Sequence, residues 1–221
     1  IARTQAVMAY DSARAKVVLF GGRSLLGAVL ADTWTWDGQN WKEETPLTSP
    51  DARGGASFTY DRKRNKAVLF GGRGIDGDFF NTTFTWDGSN WSQVVTASSP
   101  PGRETAGFAY DPSSEKSYLL GGVGATGTSP VETWTFDGSN WSVVPWVGAI
   151  PDYNAQGGRL VFDEARAKLT MMNLGQAGTQ VWSWSGTAWS QIGVYPNNVH
   201  DFFPPIAFDK RLNEVVYWPA P

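Results

Sequence analysis

The sequence predicts an all-β fold made of four-stranded units arranged around an axis, a β-propeller, and three observations carry that expectation. The chain repeats itself: Tyr10, Tyr60 and Tyr110 fall fifty residues apart, and so do Trp41, Trp91 and Trp141. It holds 25 Gly and 13 Pro with only 18% charged residues, which implies many short strands joined by tight turns. Runs such as Val17 to Phe20 are apolar at every position, so the strand they form needs cover on both faces, as when one sheet lies between two others. Small residues crowd the start of each repeat (Gly54-Gly55-Ala56, Ala106-Gly107), where backbones would converge on a central axis. A radial arrangement meets all of these demands. The 221 residues are predicted as one domain, residues 1–221, with repeats at about 3–50, 53–100, 103–150, 154–200 and 204–221.

Each repeat reads as four strands. The first ends at Tyr10-Asp11, Tyr60-Asp61 or Tyr110-Asp111, and the second runs from Lys16, Lys66 or Lys116 to a Gly-Gly doublet at 21–22, 71–72 or 121–122. Thr33-Trp34-Thr35-Trp36 is the third strand, and the fourth starts at Trp41 and runs toward Pro46. Asp37-Gly38 and its equivalents turn the third strand into the fourth, because Gly accepts a positive φ and Asp binds the local backbone. Asp11, Asp61, Asp111, Asp163 and Asp209 serve the turn between strands one and two. The fourth copy is degenerate, with Asn173-Leu174 in place of Gly-Gly and Trp182, Trp184 and Trp189 returning after a shorter loop. A fifth starts at Phe208-Asp209 and stops at Trp218. The expectation is therefore four full four-stranded blades plus a two-strand half blade, five inner hairpins in all. The half blade, residues 204–221, is expected beside the first blade, with Glu214–Trp218 as an open edge available for self-association.

The same motifs resemble kelch repeats: the Gly-Gly doublet, the Trp-rich third strand, the Trp opening the fourth and a period near fifty. The wording Tyr/Phe-Asp, Lys, Val-Leu-Phe-Gly-Gly and Trp-Asp-Gly-x-x-Trp is similar to bacterial, exported kelch proteins, and it spans Arg3 to Trp218. The resemblance implies a kelch-type β-propeller at an extracellular or cell-surface location. Such rings close with six or seven blades, so this chain reads as a fragment, a five-unit ring with a half blade, or a ring completed by a second chain. It begins at Ile1, which suggests a processed product or a fragment.

Composition removes several function classes. A net charge of −3 offers nothing to nucleic acid, and apolar runs of about four residues are too short for membrane insertion. With no Cys and a single His, His200, there is no thiolate or histidine metal site and no cysteine nucleophile. The copper site of galactose oxidase, a kelch enzyme built on Tyr, His and a Cys-linked Tyr, has no counterpart here. No cofactor, metal or catalytic set is called for. Asp76, Asp78 and Asn81 share a loop, but their spacing matches no complete calcium loop.

Function is expected where the long loops gather. The loops between strands two and three share a side with the links between repeats, while the opposite side carries short hairpin turns. Eleven of the 18 basic residues lie in those turns, leaving the loop side at net −3. Arg3, Arg53 and Arg103 occupy one repeat position, seven residues before the Tyr, at the predicted channel mouth, with Arg23 and Arg73 on its rim. The resemblance implies an acidic ligand here, since kelch propellers often read such ligands with arginines at this place, and guanidinium forks suit carboxylates. The alternative is that each Arg pins its link through a loop Asp or a backbone carbonyl. Phe79, Phe80 and Trp146 fall outside the repeat pattern and could anchor a partner or stack a sugar. The leading expectation is a non-enzymatic module binding a protein or peptide. The other reading is a carbohydrate-active propeller, lectin-like or hydrolytic, using loop aromatics and carboxylates.

Overall fold

A computed structural model of the chain describes residues 2–127, 132–145, 147, 158–175, 178–195 and 206–217. These residues form an all-β structure of antiparallel sheets, with no helix among them and hence none long and apolar enough to cross a membrane. The first sheet holds β1 (Arg3–Thr4), β2 (Val7–Asp11), β3 (Lys16–Ser24), β4 (Val29–Trp36) and β5 (Trp41–Glu44). The second holds β6 (Ser57–Asp61), β7 (Lys66–Phe70), β8 (Thr83–Trp86) and β9 (Trp91–Val94) in sequence order. In the third repeat, β10 (Arg103–Glu104) precedes β11 (Gly107–Asp111) and β12 (Lys116–Leu120). There β13 (Val123–Gly124) pairs with β10, while β14 (Thr133–Phe136) and β15 (Trp141–Val144) complete the sheet. The fourth is β16 (Arg159–Asp163), β17 (Lys168–Gly175), β18 (Gly178–Trp184) and β19 (Trp189–Tyr195). Last comes a two-stranded pair, β20 (Ile206–Asp209) and β21 (Glu214–Tyr217).

Local chemistry sets these boundaries. Asp11 Oδ1 accepts the amides of Ala13 and Arg14 at 3.1 Å, closing the β2–β3 turn. The residue before the second strand takes a left-handed φ in every repeat: Ala15, Asn65, Glu115, Ala167 and Asn213 lie between 51° and 57°. Asp37 Oδ1 accepts the amides of Gln39 and Asn40 at 2.8 Å, and Gly38 supplies the positive φ of that turn. One boundary differs from the sequence expectation. The loop expected after Gly22 instead continues the sheet, because β3 runs on to Ser24 and turns tightly, with Ser24 N–H bonding Ala28 O at 2.8 Å.

Successive sheets stack through their first long strands, β2 beside β6, β6 beside β11, β11 beside β16 and β16 beside β20. Apolar side chains fill each of the first three gaps. Trp91 is 1% exposed, meets Phe20 of the preceding sheet edge-on at 5.1 Å and donates its indole N–H to Thr33 Oγ1 at 2.9 Å. Trp141 repeats this against Phe70 at 5.0 Å and Thr83 Oγ1 at 2.8 Å. Equivalent burial of all three tryptophans, the expectation from the repeat, is corrected at Trp41, which is 45% exposed because no described sheet lies against it.

The first long strands of all five repeats line one cavity of about 760 Å³, with Tyr10, Tyr60, Tyr110, Phe162 and Phe208 in its wall. Arg62 and Lys210 both pair with Glu164, linking the turns of the second, fourth and fifth repeats. The last hairpin packs on β16 and has no comparable packing on β2, in contrast to the expected position beside the first blade.

Candidate functional site

The arginines at the repeat position are built into the links. Arg53 O accepts the amide of Gly22 at 2.9 Å, and Arg53 N–H bonds Leu30 O, both in the preceding sheet. Its side chain turns to its own repeat, donating from Nη1 to Gly71 O and Thr82 Oγ1 at 3.0 Å and from Nε to Asp51 O at 2.9 Å. The Phe80 ring covers the guanidinium at 4.0 Å. Arg103 repeats the arrangement, bonding Gly72 and Phe80 through its backbone and Gly121 O and Pro101 O through its side chain. Burial pulls both guanidinium groups down to about 10, partly offset by the charges of Asp51 and Glu132 respectively, so they remain cationic at neutral pH.

This geometry explains the Gly-Gly doublet. Gly21 sits at φ +60°, and a Cβ there would come within 2.6 Å of Arg53 O. Arg3 differs in gripping a carboxylate with both arms of its fork: Nη1 and Nη2 bond Asp32 at 2.6 and 2.7 Å, and Nη1 also reaches Gly21 O, whereas Arg53 Nη2 stands 4.0 Å from Asp51. The expectation of three guanidinium groups around a shared opening is therefore corrected. Arg53 and Arg103 are 1% and 0% exposed, and all three clamp backbone carbonyls.

The rim residues do converge. Arg23 and Arg73, with Gln5, Gly74, Ile75, Gly77 and Glu104, line a cavity of about 280 Å³ formed by the links and loops of the first three repeats. Arg23 donates from Nε to Gln5 Oε1 at 3.0 Å and from Nη2 to the carbonyls of Arg73 and Gly74 at 3.3 Å. Arg73 donates from Nε to Gly77 O, lies over Phe79 at 5.0 Å, and holds Nη1 3.8 Å from Glu104 Oε1, beyond hydrogen-bond reach. Burial pushes the Glu104 carboxyl above its ordinary value, against the lowering pull of Arg73 and Arg23.

The chain matches no protein-family model and no curated protein sequence.

The backbone under this cavity is strained. Gln5 and Thr105 adopt φ of 54° and 58°, where the second repeat has Gly55 at 64°. Gly55 N–H bonds Gln5 O at 2.9 Å and Thr105 N–H bonds Gly55 O at 2.7 Å, tying three links together. Gln5 and Glu104 were not among the sequence candidates. The Gly at the equivalent position of the second repeat was the available signal, since it marks a left-handed conformation the other two must also adopt.

Phe79 and Phe80 serve as platforms for Arg73 and Arg53, and Trp146 lies outside the described residues. Among the described residues no three His, Cys, Asp or Glu side chains gather where they could hold a metal ion. The cavity thus brings together two guanidinium groups and one partly buried carboxylate.

Proposed function

We propose that the chain is part of a kelch-type β-propeller acting as a non-enzymatic binding module, and that it holds a short carboxylate-bearing segment of a protein or peptide between Arg23 and Arg73. The observation that carries this reading is the convergence of both guanidinium groups on one cavity built from three consecutive repeats. The radial reading is supported by the common cavity of all five inner strands and by the repeated sheet-to-sheet contact of Trp91 and Trp141. The extracellular or cell-surface location rests on the resemblance to exported kelch proteins.

Among the described residues Arg73 Nη1 makes no hydrogen bond, with Glu104 Oε1 3.8 Å away, so it can close on a ligand carboxylate, with Arg23 beside it. Glu104 and the acidic surround would repel a polyanion, so a single well-placed carboxylate is favoured over an acidic tract. The carbohydrate reading is weaker, since Phe79 and Phe80 already stack on arginines.

Fluorescence anisotropy against a library of labelled peptides, each with one Asp, Glu or free C-terminal carboxylate, tests the reading. Arg23→Ala with Arg73→Ala should weaken the best binder at least about tenfold, the loss of one charge-assisted bond, with Tm nearly unchanged. A defined sugar family on a glycan array, with no peptide retained, would overturn it.

A further inference from the structure

Glu104 is the acidic side chain in the wall of the Arg23–Arg73 cavity, and the repeat itself does not call for it. Thr4 and Gly54 stand at the same position of the first and second repeats. The neighbouring link makes room for the carboxylate. Gln5 and Thr105 carry side chains at φ of 54° and 58°, so a left-handed backbone alone does not require a glycine at 55. Space does: a Cβ on Gly55 would lie 3.0 Å from Glu104 Oε2 and 3.2 Å from Glu104 Cβ.

The Glu104 side chain is 13% exposed, and no donor among the described residues makes a hydrogen bond to it. The charges acting on it are those of Arg73, whose Nη1 stands 3.8 Å from Oε1, and Arg23. Its partner strand β13 contributes Val123 and Gly124, and the links beside it contribute Gln5, Gly55 and Thr105, none of them charged. Burial outweighs both arginines and favours the neutral carboxyl.

We propose that Glu104 couples binding to a proton: a ligand carboxylate on Arg73 and the Glu104 carboxylate share one proton, so the site takes up an anion and a proton together. This inference rests on the Arg23–Arg73 reading given above. A hydrogen bond to Arg73 Nη1 places the ligand oxygen about 2.9 Å from an atom that already has Glu104 Oε1 at 3.8 Å. Two carboxylates crowded on one guanidinium arm repel, and the buried one, already biased toward its neutral form, takes the proton. Once protonated, Glu104 stops repelling the ligand and donates its O–H to it. The side chain that opposes an anion at neutral pH thus becomes a third donor, beside Arg23 and Arg73, in mild acid. Affinity rises as pH falls, until the ligand carboxylate itself is protonated.

The test is fluorescence anisotropy of a rhodamine-labelled, amide-capped peptide with a single Asp, which stays ionised above about pH 5. Titrated with the full chain from pH 8 to pH 5.5, affinity should rise at least about tenfold, one pKa unit of coupling between the two carboxylates. Glu104→Gln donates from its amide at every pH, so it should bind at neutral pH as tightly as the parent does at pH 5.5, with a flat profile. Calorimetry of the unaltered chain at pH 6.5, in two buffers of different ionisation enthalpy, should show protons taken up on binding. A flat profile for the parent, or the same slope in Glu104→Gln, would overturn the proposal while leaving the Arg23–Arg73 site standing. So would binding without proton uptake that Glu104→Gln weakens, because Glu104 would then accept a hydrogen bond from the ligand. A peptide retained by neither form at any pH would overturn the carboxylate site and this inference with it.

Discussion

Arg53 joins two sheets through one residue: its carbonyl accepts the amide of Gly22 at 2.9 Å while its Nη1 donates to Gly71 O at 3.0 Å on the other side of the link. The bond to Gly22 needs the carbonyl to approach where a side chain would stand, and the bond to Gly71 needs a fork long enough to span the link. The doublet and the arginine are therefore one device, used again by Gly72, Arg103 and Gly121.

Arg53→Ala should destabilise the chain by roughly 2–4 kcal/mol, the cost of a buried charged network left with unpaired carbonyls. Arg53→Lys keeps the charge but loses the fork, and should recover only part of the loss. Urea unfolding checks both. A change under about 0.5 kcal/mol, the range of unremarkable surface substitutions, would show that the clamp contributes nothing.

The tryptophans separate by burial. Trp91→Ala and Trp141→Ala should each cost about 3–5 kcal/mol, the range for deleting a large core aromatic. Trp41→Ala should cost far less, since nearly half of that side chain is exposed. Equal losses at all three positions would contradict the sheet contacts described above.

Thr83→Val removes the acceptor of the Trp141 indole while keeping the shape of the side chain. The buried N–H left behind should cost about 1–3 kcal/mol. Thr33→Val should do the same through Trp91, and Thr83→Ser should restore most of the stability in thermal unfolding.

The pH dependence of Asp32 has a definite sign. Burial works to raise its carboxyl, but the hydrogen bonds from Arg3 and Trp34 prevail and hold it below the ordinary value. A depressed carboxyl contributes stability that is present above its unfolded pKa and lost as pH falls through the folded one. Asp32→Asn should therefore lower Tm at neutral pH, and the gap to the parent chain should close under acid conditions below the ordinary Asp range.

Glu104 has the opposite sign. Burial raises its carboxyl, so the folded chain favours the protonated form, and stability is lost as pH rises through the folded pKa. Glu104→Gln should raise Tm at pH 7 and leave it unchanged well below the ordinary Glu range. A lower Tm at neutral pH would mean that the 3.8 Å approach of Arg73 outweighs the burial.

Strand content, the order of strands within each repeat and the turn chemistry were legible in the sequence alone. They rest on short-range rules: an Asp that caps its own turn, a Gly that alone fits a positive φ, and a period that places Trp91 and Trp141 in equal surroundings. The position of Arg3, Arg53 and Arg103 was legible as well, but their task was not. Seven residues before a Tyr, an arginine can face an opening or a carbonyl, and only the tertiary packing of the link and its repeat decides which. The tertiary structure decided it by placing Gly71 and Gly121 within hydrogen-bond reach and by covering Arg53 with Phe80. It decided the fate of Trp41 in the same way, since burial belongs to a pair of surfaces and a repeat motif specifies only one of them. The cavity of Gln5, Arg23, Arg73 and Glu104 is the clearest case. Its residues come from three repeats and are brought together by link-to-link hydrogen bonds between Gln5, Gly55 and Thr105, contacts fifty residues apart that local sequence chemistry cannot encode on its own.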